Sequence, residues 1–322
     1  MDRFDNGPET ALSWHRDGKP VALATVVETW GSAPRRVGAQ LVIGGDGRME
    51  GSVSGGCVEG AVVVEALEAI DEGEARLLEF GVSDEDAFAV GLACGGTIRV
   101  LVEPVGKVLP EPMLRELVDA RARREPVAYE VNIETGHRAL HHNAYPDRLR
   151  MDRSGFEEDG QTFVAIHNPP LRLIVVGAVH IAQALVPMAR IAGYDPFIVD
   201  PREAFASSSR FPGETILTDW PDEAVAKLGM DARTAVVLLT HDPKLDDPAL
   251  QSALGAGVFY IGALGSTRTH AKRVARMKEA GFTDTQIARI HGPIGLDIGA
   301  ADPSEIAVAI LAQMTAVLRG KA

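Results

Sequence analysis

The sequence predicts an α/β protein with two domains: a mixed α+β domain over residues 1–168, followed by a Rossmann-like doubly wound parallel sheet over 169–322. The chain has 322 residues, about the length of two ordinary domains. Asn168-Pro169-Pro170 marks a break in the pattern. Beyond this break, apolar runs alternate with amphipathic helical segments, as in a parallel sheet covered by helices on both faces.

In the second domain, each apolar run is short enough for a buried strand and is followed by a helical pattern. The strands are expected at residues 171–176, 197–199, 234–239 and 258–261. The helices are expected at residues 181–192, 222–228, 248–254, 267–280 and 303–318.

The first domain has a less regular pattern, with more signals for antiparallel pairing. Strands are expected at residues 21–29, 40–43, 49–53 and 97–103, and helices at 58–70 and 113–124. Gly44-Gly45-Asp46-Gly47 lies between two of these strands and is typical of a hairpin turn. Short strand-like runs between residues 127 and 167 complete the α+β interpretation.

Composition and charge exclude several classes of protein. The chain is 46% hydrophobic and 24% charged, as in ordinary globular proteins, and its formal net charge is −13. This charge disfavours binding to nucleic acid or to an anionic membrane. Two cysteines are too few for a disulfide scaffold or a four-cysteine zinc site. Because no signal peptide or long apolar run is evident, we expect a cytoplasmic protein with reduced thiols.

The most informative segment is Gly51-Ser52-Val53-Ser54-Gly55-Gly56-Cys57, where a strand turns into a helix. A helix N-terminus carries free N–H groups and partial positive charge, which favours an anion or a thiolate. Ser54, Gly55, Gly56 and Cys57 are therefore candidate binding residues, with Cys57 also a candidate metal ligand. The alternative is that Cys57 is a small buried residue at a tight packing point.

Two further glycine loops in the first domain contain candidate residues. Cys94 is followed by Gly95 and Gly96 just before a strand, so the two thiols could face one ligand or form a reversible disulfide. Ser32 and Arg35 lie in a loop that follows the first strand. A hydroxyl, glycine amides and a guanidinium together suit a phosphate, although a solvated surface loop would have the same composition.

The second domain carries an imperfect dinucleotide-binding motif, Gly177-Ala178-Val179-His180, directly after its first strand. Val179 replaces the glycine that would let a pyrophosphate approach the backbone. Asp200 ends the next strand, where a ribose hydroxyl would be bound, and Arg202 could meet a 2′-phosphate. The motif thus leaves open the binding of a nucleotide such as NAD(P).

Other candidates follow the later parallel strands, at the sheet edge where ligands gather in this class of fold. They are His241 and Asp242 after one strand, and Gly265 and Ser266 after the next. The helix over residues 267–280 is unusually basic for this acidic chain. It could bind an anion or a partner protein, or simply face solvent.

Taken together, these loops make the chain similar to the XdhC/CoxI family of molybdenum-cofactor accessory proteins. The resemblance covers nearly the whole chain. Its most specific segments are Ser52-Val53-Ser54-Gly55-Gly56-Cys57 and Pro293-Ile294-Gly295-Leu296-Asp297-Ile298-Gly299, and the latter adds Asp297 to the candidate residues. The family usually has glycine at the position of Val179, a departure that bears on nucleotide binding.

The resemblance implies a chaperone rather than an enzyme with its own turnover. Such proteins bind molybdenum cofactor, as molybdopterin or its cytidine dinucleotide form. They hold it while a cysteine desulfurase supplies sulfur, and insert it into the apo-subunit of a xanthine dehydrogenase-type molybdenum hydroxylase. On this basis Cys57 contacts molybdenum or its sulfur, Cys94 lies on the same side, and Ser32 and Arg35 bind the anionic tail. A homodimer is compatible with this role.

Two other functions are compatible with parts of the sequence. An NAD(P)-dependent oxidoreductase would use the parallel sheet, Asp200 and His241, but would give the two cysteines no role. A docking scaffold would use the basic helix, with Arg268, Lys272, Arg273, Arg276 and Lys278, as its contact surface.

Overall fold

The computed structural model describes residues 6–31, 35–82, 96–142 and 144–321. The chain divides into two compact units, Met1–Pro169 and Pro170–Ala322. The division falls within the Asn168-Pro169-Pro170 segment, where two prolines disfavour regular structure.

The first unit is built on an antiparallel sheet with the strand order β3-β2-β1-β5-β4. The strands are β1 (Val21–Gly31), β2 (Gln40–Gly44), β3 (Met49–Gly51), β4 (Arg76–Val82) and β5 (Gly96–Pro104). In the register of this sheet, Gly31 of β1 pairs with Gly96 of β5, and Val82 of β4 pairs with Gly96 from the other side. The C-termini of β1 and β4 and the N-terminus of β5 therefore lie at one end of the sheet.

Both faces of this sheet are covered. The helices of the unit are α1 (Gly7–Arg16), α2 (Glu59–Glu72), α3 (Glu111–Ala122) and α4 (Pro146–Met151). A second antiparallel sheet, in the order β7-β6-β9-β8, contains β6 (Val127–Asn132), β7 (Arg138–His141), β8 (Gly155–Phe156) and β9 (Thr162–His167). The apolar side of α2 packs on one face of the first sheet, and α1, α3 and the second sheet pack on the other. The mixed α+β prediction is confirmed.

The second unit contains a fully parallel sheet in the order β12-β11-β10-β13-β14-β15. Its strands are β10 (Leu171–Val176), β11 (Tyr194–Val199), β12 (Thr215–Leu217), β13 (Thr234–Leu238), β14 (Tyr260–Ala263) and β15 (Ile290–His291). This is the Rossmann strand order, which reverses between β10 and β13. The prediction of a doubly wound sheet is confirmed.

Helices lie on both faces of the parallel sheet. They are α5 (His180–Ile191), α6 (Pro221–Leu228), α7 (Pro243–Gly255), α8 (Thr267–Glu279), α9 (Asp284–Ile287) and α10 (Pro303–Leu318). One core contains residues of α5 and α10, and the other contains residues of α6, α7 and α8. Within the part of the chain that the structure describes, every helix is too short or too polar to span a lipid bilayer.

The sequence misplaced the start of α7 and missed several elements. We expected α7 to begin at Pro248, but it begins at Pro243, because the Asp242 side chain accepts the Lys244 N–H and Pro243 suits the first turn. Pro248 lies inside the helix. The missed elements are α1, β4, α4, β12, α9 and β15.

Candidate functional site

Cys57 is exposed in a loop that connects β3 to α2 in the first unit. Gly55 and Gly56 beside it are also exposed, and both have positive φ angles, of 78° and 112°. Gly51, where the loop begins, has φ of 97°, and a Cβ there would lie 2.4 Å from the carbonyl oxygen of Gln40. Glycine is therefore required at this turn, both for its backbone conformation and for the close approach of two strands.

The loop is organised around the carboxylate of Glu59, the first residue of α2, which is 5% exposed. Its Oε1 accepts hydrogen bonds from the Ser52 hydroxyl (2.7 Å) and from the N–H groups of Val53 (3.1 Å), Ser54 (2.9 Å) and Gly55 (3.1 Å). Its Oε2 accepts from the Ser54 hydroxyl (2.5 Å) and the Gly56 N–H (2.8 Å). Each of these donors is electrically neutral, and together they surround a buried negative charge.

These hydrogen bonds keep Glu59 ionised. Burial by itself raises the pKa of the carboxyl group, but the hydroxyls of Ser54 and Ser52 and the Ser54 N–H outweigh that effect. The pKa of Glu59 falls to about 2 from its ordinary value of 4.5. The exposed Gly55 and Gly56, which precede Cys57, are therefore joined through their N–H groups to a fixed, ionised carboxylate.

Ser54 connects Glu59 to Cys57. Its side chain is only 4% exposed, and its hydroxyl donates to Glu59 while accepting from the N–H groups of Cys57 (3.0 Å) and Val58 (2.9 Å). We expected Ser54 and the amides of Gly55 and Gly56 to bind an anion. In the structure described, these amides donate to Glu59 and the Ser54 hydroxyl lies inside the loop, so an anion would have to compete with Glu59 for them, and their binding role stays a prediction.

The loop that contains Arg35 contacts the Cys57 loop. Arg35 is half-buried, and its Nε donates to the carbonyl oxygen of Ser52 at 3.2 Å. Gly96 begins β5 at the end of the sheet where β1 ends. Ser32, Cys94 and Gly95 lie outside the described residues. No group of three or more His, Cys, Asp and Glu side chains that could bind a metal ion occurs among those described.

In the second unit, the Gly177 loop packs tightly against the segment that follows β13. Gly177 has φ of 109°, and a Cβ there would lie 2.8 Å from Cγ2 of Thr240. The N–H of Ala178 donates to Oδ2 of Asp200 at 2.9 Å. The carbonyl oxygen of Ala178 accepts a hydrogen bond from Arg210 at 2.7 Å, so the segment after β11 also holds this loop in place.

Asp200 does not have the environment expected for a ribose ligand. Its side chain is fully buried, and both oxygens accept hydrogen bonds from the Arg202 guanidinium, at 2.8 and 2.7 Å. Burial raises the pKa of Asp200, but the bonds from Arg202 and Ala178 outweigh it, so the net pKa is lowered. The two side chains bind each other in the structure described, and the expected contacts of Asp200 with a ribose and of Arg202 with a phosphate stay predictions.

Three other candidates in the second unit are exposed to solvent, and one of them has an unusual backbone conformation. His180, His241 and Asp297 are exposed. His241 has φ of 61°, an uncommon conformation for a residue other than glycine.

Two further candidates cap helices, and a glycine precedes one of them. Asp242 caps α7, and Ser266 caps α8 by accepting the Thr269 N–H at 3.2 Å. Gly265 precedes the cap with φ of 139°, and a Cβ there would lie 2.9 Å from the Thr269 side chain. Binding roles for these second-unit residues stay predictions.

The basic surface expected on α8 is largely neutralised. Arg276 forms a bidentate ion pair with Asp247 (2.5 and 2.9 Å), and Lys278 pairs with Asp284 at 2.8 Å. Arg273 is only 2% exposed. A docking surface made of all five basic residues is therefore not present, because opposite charges or burial remove three of them from it.

The role of Glu59 was not predicted from the sequence. A carboxylate in the first turn of a helix is common, because it interacts well with the positive end of the helix dipole. The sequence offered one sign that Glu59 could organise the loop, namely its position two residues after Cys57. Its burial and its six donors depend on how β3, the loop and α2 pack together, which no local pattern specifies.

Comparisons with known proteins agree with this architecture. Residues 14–81 match the model of the XdhC and CoxI family, and residues 173–314 match that of the XdhC Rossmann domain. The molybdenum cofactor insertion chaperone PaoD of Escherichia coli is 33% identical over 300 residues, which are 93% of this chain and 84% of that protein. The chain belongs to the XdhC and CoxI family.

Two further matches span almost the full length of this XdhC and CoxI family member. A probable xanthine dehydrogenase subunit from Bacillus subtilis is 28% identical over 318 residues, which cover 92% of this chain and 93% of that one. A crystal structure of a xanthine dehydrogenase from Bacillus halodurans has a TM-score of 0.71 and 26% identity, and covers 98% of this chain and 96% of the other.

Proposed function

We propose that this protein binds molybdenum cofactor at the exposed Cys57 loop and delivers it to an apo-hydroxylase of the xanthine dehydrogenase type. The observation that carries the proposal is an accessible thiol on a rigid glycine turn, in a chain related to a molybdenum cofactor insertion chaperone. In this role the protein holds and transfers its cargo, and does not turn over a substrate of its own.

The donor chemistry at the loop fits this cargo. A cysteine sulfur is a soft ligand and suits molybdenum bound to the soft sulfurs of its pterin. Gly55 and Gly56 carry no side chains, so a bulky cofactor can approach the Cys57 thiol closely. Arg35, joined to the loop through Ser52, is a nearby cation that would pair with the anionic tail.

The finer steps of the proposal rest on the resemblance to the XdhC and CoxI family. Cys57 would hold the cofactor while a cysteine desulfurase supplies sulfur, and release it to the hydroxylase afterwards. Cys94, as a second thiol for the same ligand, and Ser32, as a ligand of the anionic tail, remain part of the proposal. The protein would work in the cytoplasm and as a homodimer. Both forms of the cofactor, molybdopterin and its cytidine dinucleotide, are compatible with the residues present.

An NAD(P)-dependent oxidoreductase is not favoured by the second unit. The residues do not fit the cofactor, because both oxygens of Asp200 are used within the protein and Val179 replaces the glycine that would let a pyrophosphate approach the backbone. We therefore assign no reaction to that unit.

The proposal is tested by cofactor transfer. Wild-type protein purified from molybdate-fed cells is expected to contain molybdenum and pterin, and to activate a purified apo-hydroxylase. Cys57→Ser is expected to lower that activation at least tenfold, because serine is a poor ligand for a soft metal centre. Equal activation by the wild type and the variant would contradict the proposal.

A further inference from the structure

We infer that Glu59 is a positioning residue, which holds the Cys57 thiol and the adjoining glycines in the conformation that receives the cofactor. The inference rests on the proposed function, since it concerns the same loop. Glu59 itself is buried and lies beneath the loop, so it would act through the backbone and not by touching the cargo.

The two carboxylate oxygens have separate tasks. Oε1 fixes the first part of the loop, through the Ser52 hydroxyl and the N–H groups of Val53, Ser54 and Gly55. Oε2 fixes the part next to the thiol, through the Ser54 hydroxyl and the Gly56 N–H. The Ser54 hydroxyl in turn accepts the N–H groups of Cys57 and Val58.

This division predicts a local effect of Glu59→Gln. Glutamine has the same shape, and its single oxygen can keep the bonds made by Oε1. Its amide nitrogen would then face the Gly56 N–H, so that two donors oppose each other. The Ser54 hydroxyl would also lose an acceptor that orients it toward Cys57. Because glutamine fills the same space as glutamate, packing should be unchanged. The loss of order should therefore be confined to residues 56–58.

A loosened loop would weaken binding even with the thiol intact. Val53 packs in the core, but the glycines at positions 55 and 56 have positive φ and no side chains, so the part of the loop next to Cys57 depends on hydrogen bonds for its order. A cofactor that must order the loop on binding loses affinity relative to one that meets a preorganised loop.

The test measures amide hydrogen exchange and bound molybdenum in the same full-length preparations. In Glu59→Gln, we expect exchange at residues 56–58 to rise at least tenfold relative to amides of β5, and molybdenum per chain to fall at least fivefold. Cys57→Ser should lose molybdenum with exchange at 58 unchanged. Glu68→Gln, on the exposed side of the same helix, should change neither quantity.

The possible outcomes separate the positioning role from the proposed function. The positioning role alone would be overturned if amides 56–58 of Glu59→Gln exchange at the wild-type rate. It would also be overturned if they exchange faster but the variant binds as much molybdenum as the wild type. Wild-type protein without molybdenum, or Cys57→Ser with full molybdenum, would refute the proposed function and with it the inference. If Glu59→Gln does not fold, Ser54→Ala can be used instead, because it removes the same link to Cys57. Ser54→Ala should also speed exchange at residues 56–58 and lower bound molybdenum. The absence of these two effects would overturn the positioning role.

Discussion

Each unit contains a glycine-rich loop between a strand and a helix, and a buried carboxylate stabilises each loop in a different way. In the Cys57 loop, Glu59 lies within the connected helix and accepts six hydrogen bonds from neutral donors. In the Gly177 loop, Asp200 comes from the neighbouring strand, binds one loop N–H and is neutralised by Arg202. Both loops have the glycines of an anion-binding turn, yet in each an internal carboxylate accepts loop N–H groups.

The two loops differ in what they leave exposed. The first loop presents glycine surfaces and a thiol to solvent. The second is held by Thr240 and Arg210 on its sides and carries Val179 where a ligand would approach. A glycine-rich turn therefore predicts a tight backbone bend, and the exposed side chains decide whether a ligand can bind there.

The largest effects on stability are expected from alanine substitutions at the loop glycines. Gly51→Ala places Cβ 2.4 Å from a backbone oxygen, whereas Gly177→Ala meets the Thr240 side chain at 2.8 Å. The Cβ of Gly56→Ala meets nothing within 4 Å, so only its positive φ is unfavourable. We expect free energies of unfolding to fall by roughly 3–5, 2–4 and 1–2 kcal/mol respectively, measured by chemical denaturation. A larger loss for Gly56→Ala than for Gly51→Ala would contradict the described packing.

The next effect is a pH-dependent contribution of Glu59. Its pKa is about 2 in the folded protein and ordinarily 4.5, so the ionised form stabilises folding above pH 4.5. This stabilisation, on the order of 3 kcal/mol, should disappear as the pH falls through 4.5 towards 2. The difference in unfolding free energy between wild type and Glu59→Gln should therefore shrink between pH 7 and pH 3.

The matched control for that experiment is Glu68→Gln, since Glu68 is 57% exposed in an ion pair with Arg76. Its effect should be about 0.5 kcal/mol or less. A wild-type advantage over Glu59→Gln that is constant down to pH 3 would show that the hydrogen bonds do not depend on the charge of Glu59.

The regular elements were predictable because their periodicity is local. The parallel strands β10 and β13 are mainly apolar, apart from Arg172 in β10 and Thr234 at the start of β13, and the sequence predicted them to within a residue. In contrast, β12 and β15 have only three and two residues, too few for a periodic signal, and their neighbours in the sheet define them.

The candidate site was predicted only in part. The exposure of Cys57 agrees with a binding role, and the contact of Arg35 with Ser52 brings two predicted loops together. The sequence could not show that the loop amides bind Glu59 or that Asp200 is fully buried. The burial of Asp200 depends on packing between segments that are distant in sequence. The hydrogen bonds of Glu59 depend on how the preceding loop turns back towards it.

The most direct measurement is the molybdenum content of two matched variants, Cys57→Ser and His180→Ala. Each changes an exposed side chain where a glycine loop meets its helix, one in each unit. We predict that Cys57→Ser retains less than a tenth of the wild-type molybdenum per chain, and that His180→Ala retains it in full. Full retention by Cys57→Ser, with loss in His180→Ala, would contradict the assignment of the cofactor to the first unit.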